Sequence, residues 1–305
     1  MYKIHNFDTW ASDILSGKYG SGASEKEWLM ETLHYRIGLF KYPKIKDKEK
    51  NIITSEYLAE KIASELAKII GIKCNEVDIG YYKGRIGTMS YNFVDSSMLL
   101  NEGVTFIEKK YLNYNKDKLI DETSNEKYTL QMIINCLPEY KNEILLMIIF
   151  DALIGNSDRH HSNWGIIYKL TEDNYIEEEF SPLYDNGSSL CAYVNEEDID
   201  KLFKDKMMYN ALLDTKSKSA IGWKDKRPIK HFELIKNIRD KYYNETIECV
   251  KKIKNNITKE NVSALLNNFS SELMSEERKE LLLKFILDRR NKILVIYNLE
   301  ENDEK

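Results

Sequence analysis

The chain has little of what would commit it to a specialised class. Only 4 of its 305 residues are cysteine. Cys74, Cys136, Cys191 and Cys249 form no Cys-x-x-Cys pair, which excludes a disulfide framework or a thiolate zinc site as the reading. With 13 glycines, 4 prolines and no internal repeat, nothing argues for disorder. No apolar run approaches the roughly 18 residues of a membrane span. The N-terminal MYKIHNFDTW lacks a signal-peptide pattern, so a cytoplasmic location without membrane contact is expected. Excess positive charge is missing too: a net charge of -5 argues against non-specific nucleic-acid binding, although it leaves room for a local basic groove. Histidines number 5. His160 and His161 are adjacent and poorly placed to share one metal, and His5, His34 and His231 have no ligand-like spacing, which disfavours a histidine-metal hydrolase.

What is present is an ordinary globular composition, 42% hydrophobic and 31% charged, long enough for two lobes and a large core. A small-residue stretch comes first, with Gly20, Ser21, Gly22 and Ser24 ahead of Lys26. Such a loop lets phosphate approach backbone N–H groups, and taken alone it is equally a surface turn. His34 to Tyr42 reads as a strand whose alternation puts Tyr35, Ile37, Leu39 and Lys41 on one face. A helix follows from Thr54 or Ser55 to a stop at Gly71, burying Leu58, Ile62, Leu66, Ile69 and Ile70 and carrying Glu56 and Glu60 along one edge. Val77–Tyr82 and Arg85–Phe93 form a hairpin around Lys83-Gly84. Asn101 to Lys127 has no steady period and reads as a long connection with room for one short helix. Beyond Tyr128 the pattern is predominantly helical, which puts a boundary near Phe93 between a strand-rich lobe, 1–93, and a helical lobe, 94–305.

Chemistry concentrates in DALIGNSDRHHSNWGIIY, Asp151 to Tyr168. An apolar helix enters from Glu143, stops at Gly155, and a strand leaves from Trp164. The loop between them is dense in donors, acceptors and titratable groups. Further on, a strand from Glu177 to Tyr184 delivers Asp185-Asn186-Gly187, a turn that can hold a carboxylate toward a cleft. The helical segments Ile229–Ile253, Thr258–Asn267 and Ser275–Tyr297 read as core-packing elements. In order, these signals are a small-residue loop, a strand lysine, a helix glutamate, an Asp with an Asn five positions later, and an Asp before Gly. That is the order used by protein kinases.

The stretches IGNSDRHHSNWGII and SPLYDNGSSL resemble the HipA-type serine/threonine kinases, marked by Ile-Gly-Asn-x-Asp-Arg-His-x-x-Asn and a later Pro-x-Tyr/Phe-Asp. FKYP, SEYLAEKIASELAKIIGI, GYYKGRIGTMSYNF and MSEERKELLLKFILDRRNKIL extend the likeness over most of the chain, in the short, single-chain format.

The resemblance implies an α+β, two-lobed kinase-like fold and an ATP- and Mg2+-dependent protein kinase. It implies Asp158 as catalytic base, Asn163 and Asp185 as Mg2+ ligands, and His160 as a brace of the catalytic loop. Lys41 would meet the nucleotide phosphates and pair with Glu60; the family spacing back from Gly71 favours Glu60, whereas the local Ser-Glu-Tyr wording favours Glu56. Met89 to Phe93, including Tyr91, would be the interlobe linker, with backbone groups reading adenine, and Gly20, Ser21, Gly22 and Ser24 would cover the phosphates. Partners implied are a protein substrate and an antitoxin-like regulator. The alternatives are a small-molecule kinase on the same fold and a non-catalytic nucleotide-binding module of the toxin–antitoxin type.

Overall fold

The computed structural model describes residues 1–12, 25–47, 49 and 52–300. In chain order it begins with strands β1 (His5–Asn6), β2 (Ala11–Ser12), β3 (Lys26–Met30) and β4 (Ile37–Lys41). A short ladder follows, β5 (Ile45–Asp47) with β6 (Ile52–Ile53). Then come helix α1 (Glu56–Ile70) and the hairpin β7 (Val77–Tyr82) and β8 (Arg85–Tyr91). A six-stranded sheet results, ordered β1-β7-β8-β4-β3-β2, in which β1 and β7 run parallel and the other pairs antiparallel.

Alternation along the strands separates two faces. Leu29, Phe40, Tyr82 and Met89 pack with Phe7, Tyr42 and Tyr91 into an aromatic-rich cluster, while Ile37, Leu39 and Lys41 line a cleft. The strand starts later than the pattern of aromatic residues suggests. Tyr35 has a φ of 58° and sits in the β3–β4 hairpin loop, where Glu31 and Arg36 share a backbone bond. A left-handed residue cannot continue a strand, so Tyr35 is exposed and leaves the apolar row to Ile37 and Leu39.

Helix α1 stops where Gly71 takes a φ of 71° and its N–H returns to the last-turn carbonyls. Its start is held differently from a simple Ser or Thr cap: Ser55 makes no cap bond, and the Thr54 hydroxyl instead donates to Glu56 and accepts from the Lys44 N–H.

The second lobe continues through β9 (Met98–Glu102), α2 (Gly103–Lys110), β10 (Tyr114–Asn115), β11 (Ile120–Asp121), α3 (Leu130–Cys136) and α4 (Lys141–Ile154). Then come β12 (Gly165–Leu170), β13 (Ile176–Phe180), α5 (Glu196–Lys204), α6 (Lys206–Asn210), a π-helical turn (Ala211–Thr215), β14 (Lys218–Ser219) and β15 (Ile229–Lys230). Three helices end the described chain: α7 (His231–Asn256), α8 (Lys259–Leu266) and α9 (Glu276–Tyr297).

The expected long connection from Asn101 to Lys127 holds the one short helix it had room for, α2, and adds strand pairing. β12 pairs on one side with β13 and on the other with β9, and α2 starts at Gly103 directly against Trp164. A Cβ at Gly103 would lie 2.3 Å from that indole, so only glycine admits this approach.

α4 is buried on nearly every side, and the main core runs without a break from α1 through α4 to α7 and α9. α1 itself packs against β7 and β8 above and α7 and α8 below. Among the described residues no helix is long and apolar enough to cross a membrane.

Candidate active site

α4 delivers the Asn156–Asn163 loop by ending abruptly. Gly155 turns left-handed at a φ of 72° and packs its α-carbon against Phe285 and Arg289; a Cβ there would lie 3.1 Å from Phe285. The loop Asn156 to Asn163 then folds back on its own polar atoms. The Asp158 N–H donates to Asn156 Oδ1 at 3.0 Å, and the His160 N–H to the Asp158 carbonyl at 2.8 Å. Asn163 Nδ2 donates to that same carbonyl at 2.7 Å. With its nitrogen spent inside the loop, Asn163 keeps Oδ1 as the atom available to a ligand.

The loop is clamped by Arg159, a residue the sequence motif places beside Asp158 without showing its purpose. Its guanidinium is 0% exposed and forks onto Asp151 of α4, Nε to Oδ2 at 3.0 Å and Nη2 to Oδ1 at 2.8 Å. The remaining N–H groups reach the Asn163 carbonyl at 2.8 Å, the Tyr184 carbonyl at 2.6 Å and Asn186 Oδ1 at 2.5 Å. Arg159 therefore joins α4, the Asp158 loop and the Asp185 turn through one rigid five-donor fork. Burial pushes the Asp151 carboxyl up from its ordinary value, and the guanidinium and the Asn156 amide pull it back.

In the Asp185-Asn186-Gly187 turn, the left-handed residue is Asp185 itself, at a φ of 56°. Aspartate accepts that region more readily than most residues. Gly187 serves another purpose: a Cβ there would come 3.1 Å from Glu60 Oε2, so its small size makes room for the helix carboxylate. Asp185 Oδ1 receives the Lys41 ammonium at 3.1 Å across 144 residues of sequence. Burial works against the Asp185 charge, and Lys41, Arg159 and His160 outweigh it, so its carboxyl lies below its ordinary value. Lys41 is correspondingly raised, burial being overcome by Asp185, then Glu60.

Glu60 is buried, accepts the Asn186 N–H and is raised by burial, with Lys41 pulling the other way. Glu56 is used elsewhere: it pairs with Lys44 at 3.0 Å and accepts from Thr54 at 2.6 Å and Tyr193 at 2.9 Å. Of the two candidates, Glu60 is the one placed beside Lys41 and Asp185, although the direct ion pair of Lys41 is with Asp185.

These groups border a cleft of about 540 Å³ between the lobes. Trp28, Ile37 and Leu39 line its β-sheet side, Tyr184 and Asp185 its lower side, and Tyr91 to Ser96 its rear edge. Lys26, opposite Lys41 in the β3–β4 register, adds a second ammonium. Along the expected linker the side chains divide between the two faces of the sheet. Met89 is fully buried in the aromatic-rich cluster behind the sheet, with its sulfur against Gly38. Strand alternation turns it away, so the cleft edge begins at Ser90. Tyr91 lines the cleft, while its hydroxyl is held by Asp78 at 2.9 Å.

Asp158 lies on the same loop as Asn163, and lines a second hollow beside the cleft. Partial enclosure raises its carboxyl, His160 opposes that rise and Asp185 adds to it. His160 accepts the Ser162 N–H on Nδ1 at 3.2 Å, which braces the loop locally. His161 turns inward between Tyr114 and Tyr128, with Nδ1 3.0 Å from the Tyr114 hydroxyl; burial lowers it to about 4. Gly20, Ser21, Gly22 and Ser24 lie outside the described residues.

No family model matches the chain. Among curated proteins, "Serine/threonine-protein kinase CtkA" of Helicobacter pylori is 23% identical over 290 residues, covering 92% of this chain and 84% of that protein. Among solved structures, that of a Helicobacter pylori proinflammatory kinase CtkA aligns with a TM-score of 0.80 at 19% identity, covering 97% of this chain and 96% of that one. HipA of Shewanella oneidensis MR-1, solved with HipB and operator DNA, aligns with a TM-score of 0.53 at 12% identity, over 95% of this chain and 69% of that one. The α+β fold is thus that of the HipA-like kinases, and the resemblance carried by the motifs extends along nearly the whole chain.

Proposed function

We infer that this chain is a HipA-like serine/threonine protein kinase that transfers the γ-phosphate of ATP to a protein hydroxyl. The observation that carries this reading is the convergence of Lys41, Asn163 and Asp185 on one interlobe cleft, from three separate parts of the chain, with Asp158 on the same loop as Asn163 and its carbonyl held by the Asn163 amide. Similarity to a named serine/threonine kinase supports it.

The resemblance suggests a part for each residue, and the geometry supports it. Residues 1–93 would act as the nucleotide lobe and 94–305 as the lobe carrying the reacting groups. The Lys41 ammonium, held by Asp185 and Glu60, is placed for the α/β-phosphates, and Ile37, Leu39 and the Ser90–Ser96 edge for the base. The Asp158 carboxylate takes the proton of the acceptor hydroxyl as its oxygen bonds to the γ-phosphorus and the bond to the β-phosphate oxygen breaks, releasing ADP. Its raised basicity suits that role.

The donor set fits Mg2+. Asn163 Oδ1 and the Asp185 carboxylate are hard oxygen ligands beside the phosphate position, and Mg2+ commonly takes one or two such protein ligands with phosphates completing its shell. When bound, it would neutralise phosphate charge. Among the described residues no cluster of three or more His, Cys, Asp or Glu forms a metal cage on its own.

A cytoplasmic setting is part of the proposal, supported by four cysteines that all stay free thiols. A regulatory protein partner is proposed from the HipB complex of the Shewanella relative. The test is incubation of the purified chain with labelled ATP, Mg2+ and a cell lysate. Labelled protein in the wild type and none with Asp158→Ala is the expected outcome; label confined to a metabolite fraction would move the acceptor to a small molecule.

A further inference from the structure

A second hollow opens on the outer side of Asp158. It encloses about 650 Å³, and its floor is the catalytic loop itself, Ser157, Asp158 and His160 to Ser162. Ser162 borders both this hollow and the nucleotide cleft, so the two spaces meet at the loop. An acceptor hydroxyl approaching Asp158 from this side would face a γ-phosphate held on the other.

The walls of the hollow are cationic. Lys116, Lys216, Lys218 and Arg227 line it, against Asp117 and the reacting Asp158 as its only lining carboxylates. Lys116 is paired with Glu108 at 2.9 Å. Lys216 and Lys218, both exposed, have no side-chain partner among the described residues. Arg227 is fixed by one bond, Nε to the Ala220 carbonyl at 2.9 Å, which leaves its two terminal nitrogens for a ligand. This concentration of positive charge stands out on a chain whose net charge is -5. A patch of one sign in a concave site raises the local concentration of an oppositely charged partner.

We propose that this hollow is the acceptor groove and that it selects serine or threonine segments flanked by acidic residues. Aspartate or glutamate side chains near the acceptor would meet Lys216, Lys218 and Arg227 while the hydroxyl reaches Asp158. The proposal rests on the kinase reading for its chemistry, but not for its binding, and the two are separable by experiment.

The binding probe is a fluorescein-labelled nonapeptide with one central serine flanked by glutamates, compared with the same peptide flanked by lysines and with an RNA oligonucleotide of equal charge. The comparison protein is the Lys216→Glu/Lys218→Glu double variant, whose substitutions lie on exposed side chains. Anisotropy should show wild-type binding of the acidic peptide about ten-fold tighter than by the variant, as expected for two exposed charge contacts, with the difference shrinking at high salt. Transfer from labelled ATP should show the same order in kcat/KM, and the variant should shift toward the lysine-flanked peptide. Equal binding of both peptides, or tight RNA binding that the double variant abolishes, would overturn the proposal. Acidic-peptide binding without any transfer would support the groove and count against the kinase reading, whereas transfer that ignores the flanking charge would do the reverse.

Discussion

Arg159 and Asp151 stand eight positions apart in sequence and meet through two parallel hydrogen bonds, 3.0 and 2.8 Å long, with both side chains buried. The same guanidinium also holds the carbonyls of Asn163 and Tyr184. Replacing Asp151 by Ala leaves a buried cation without its counter-charge, which costs about 3–5 kcal/mol. Chemical denaturation should show the loss as a lower midpoint. An Asp151→Leu/Arg159→Met double variant should recover part of that stability yet remain defective in phosphate transfer, because the Asn163 and Tyr184 carbonyls lose their common donor.

Asp158→Ala should reduce transfer by at least about 100-fold, the scale of a lost general base. ATP affinity, measured by calorimetry, should stay near wild type, since the proposed nucleotide contacts lie on the Lys41 side of the cleft. A variant turning over at the wild-type rate would remove Asp158 from its assigned role.

The two helix glutamates should separate cleanly. Glu60→Gln should raise the KM for ATP by roughly ten-fold, the size of one charge-assisted contact, because Glu60 supports the Lys41 and Asp185 pair. Glu56→Gln should change it by less than about two-fold, since Glu56 serves Lys44, Thr54 and Tyr193 at the cleft exterior. The opposite order in steady-state kinetics would reassign the pair.

The pH profile follows from the direction of the Asp158 shift. Enclosure and Asp185 raise its carboxyl above the ordinary aspartate value, while His160 lowers it. A base acts only when ionised, so transfer falls as pH drops through that raised value, higher than for an unperturbed aspartate. His160→Ala removes the opposing influence and should move the acid limb to still higher pH. An unmoved limb in that variant would mean another group controls it. His161, lowered to about 4 by burial, is neutral across the range and contributes nothing to the limb.

Helix ends and hairpins were legible in the sequence because their causes are local. Gly71 and Gly155 stop their helices by turning left-handed, and Lys83-Gly84 closes the β7–β8 hairpin. The alternation that put Ile37, Leu39 and Lys41 on one face also held. What escaped depended on distant contacts. Met89 is apolar in a strand of apolar neighbours, and only the position of Phe40 and Gly38 across the sheet shows that it points away from the cleft. The order in Asn101–Lys127 comes from pairing with β12 and from Trp164, neither of which leaves a periodic trace. Arg159 was visible only as a neighbour of Asp158, since its partners lie eight residues upstream and 25 and 27 downstream. The groove cations come from positions near 116, 216 and 227, which no spacing rule connects.

α1 carries Glu60, and its apolar side belongs to the same continuous core as α4, α7 and α9. Swinging this helix outward would expose Leu58, Ile62 and Leu66 to water at about 25 cal/mol for each Å² uncovered. Its glutamate is therefore locked in the engaged position by the packing of the lower lobe. Control of the proposed kinase would then fall on what enters the cleft and the groove, with Glu60 already held beside Lys41 and Asp185.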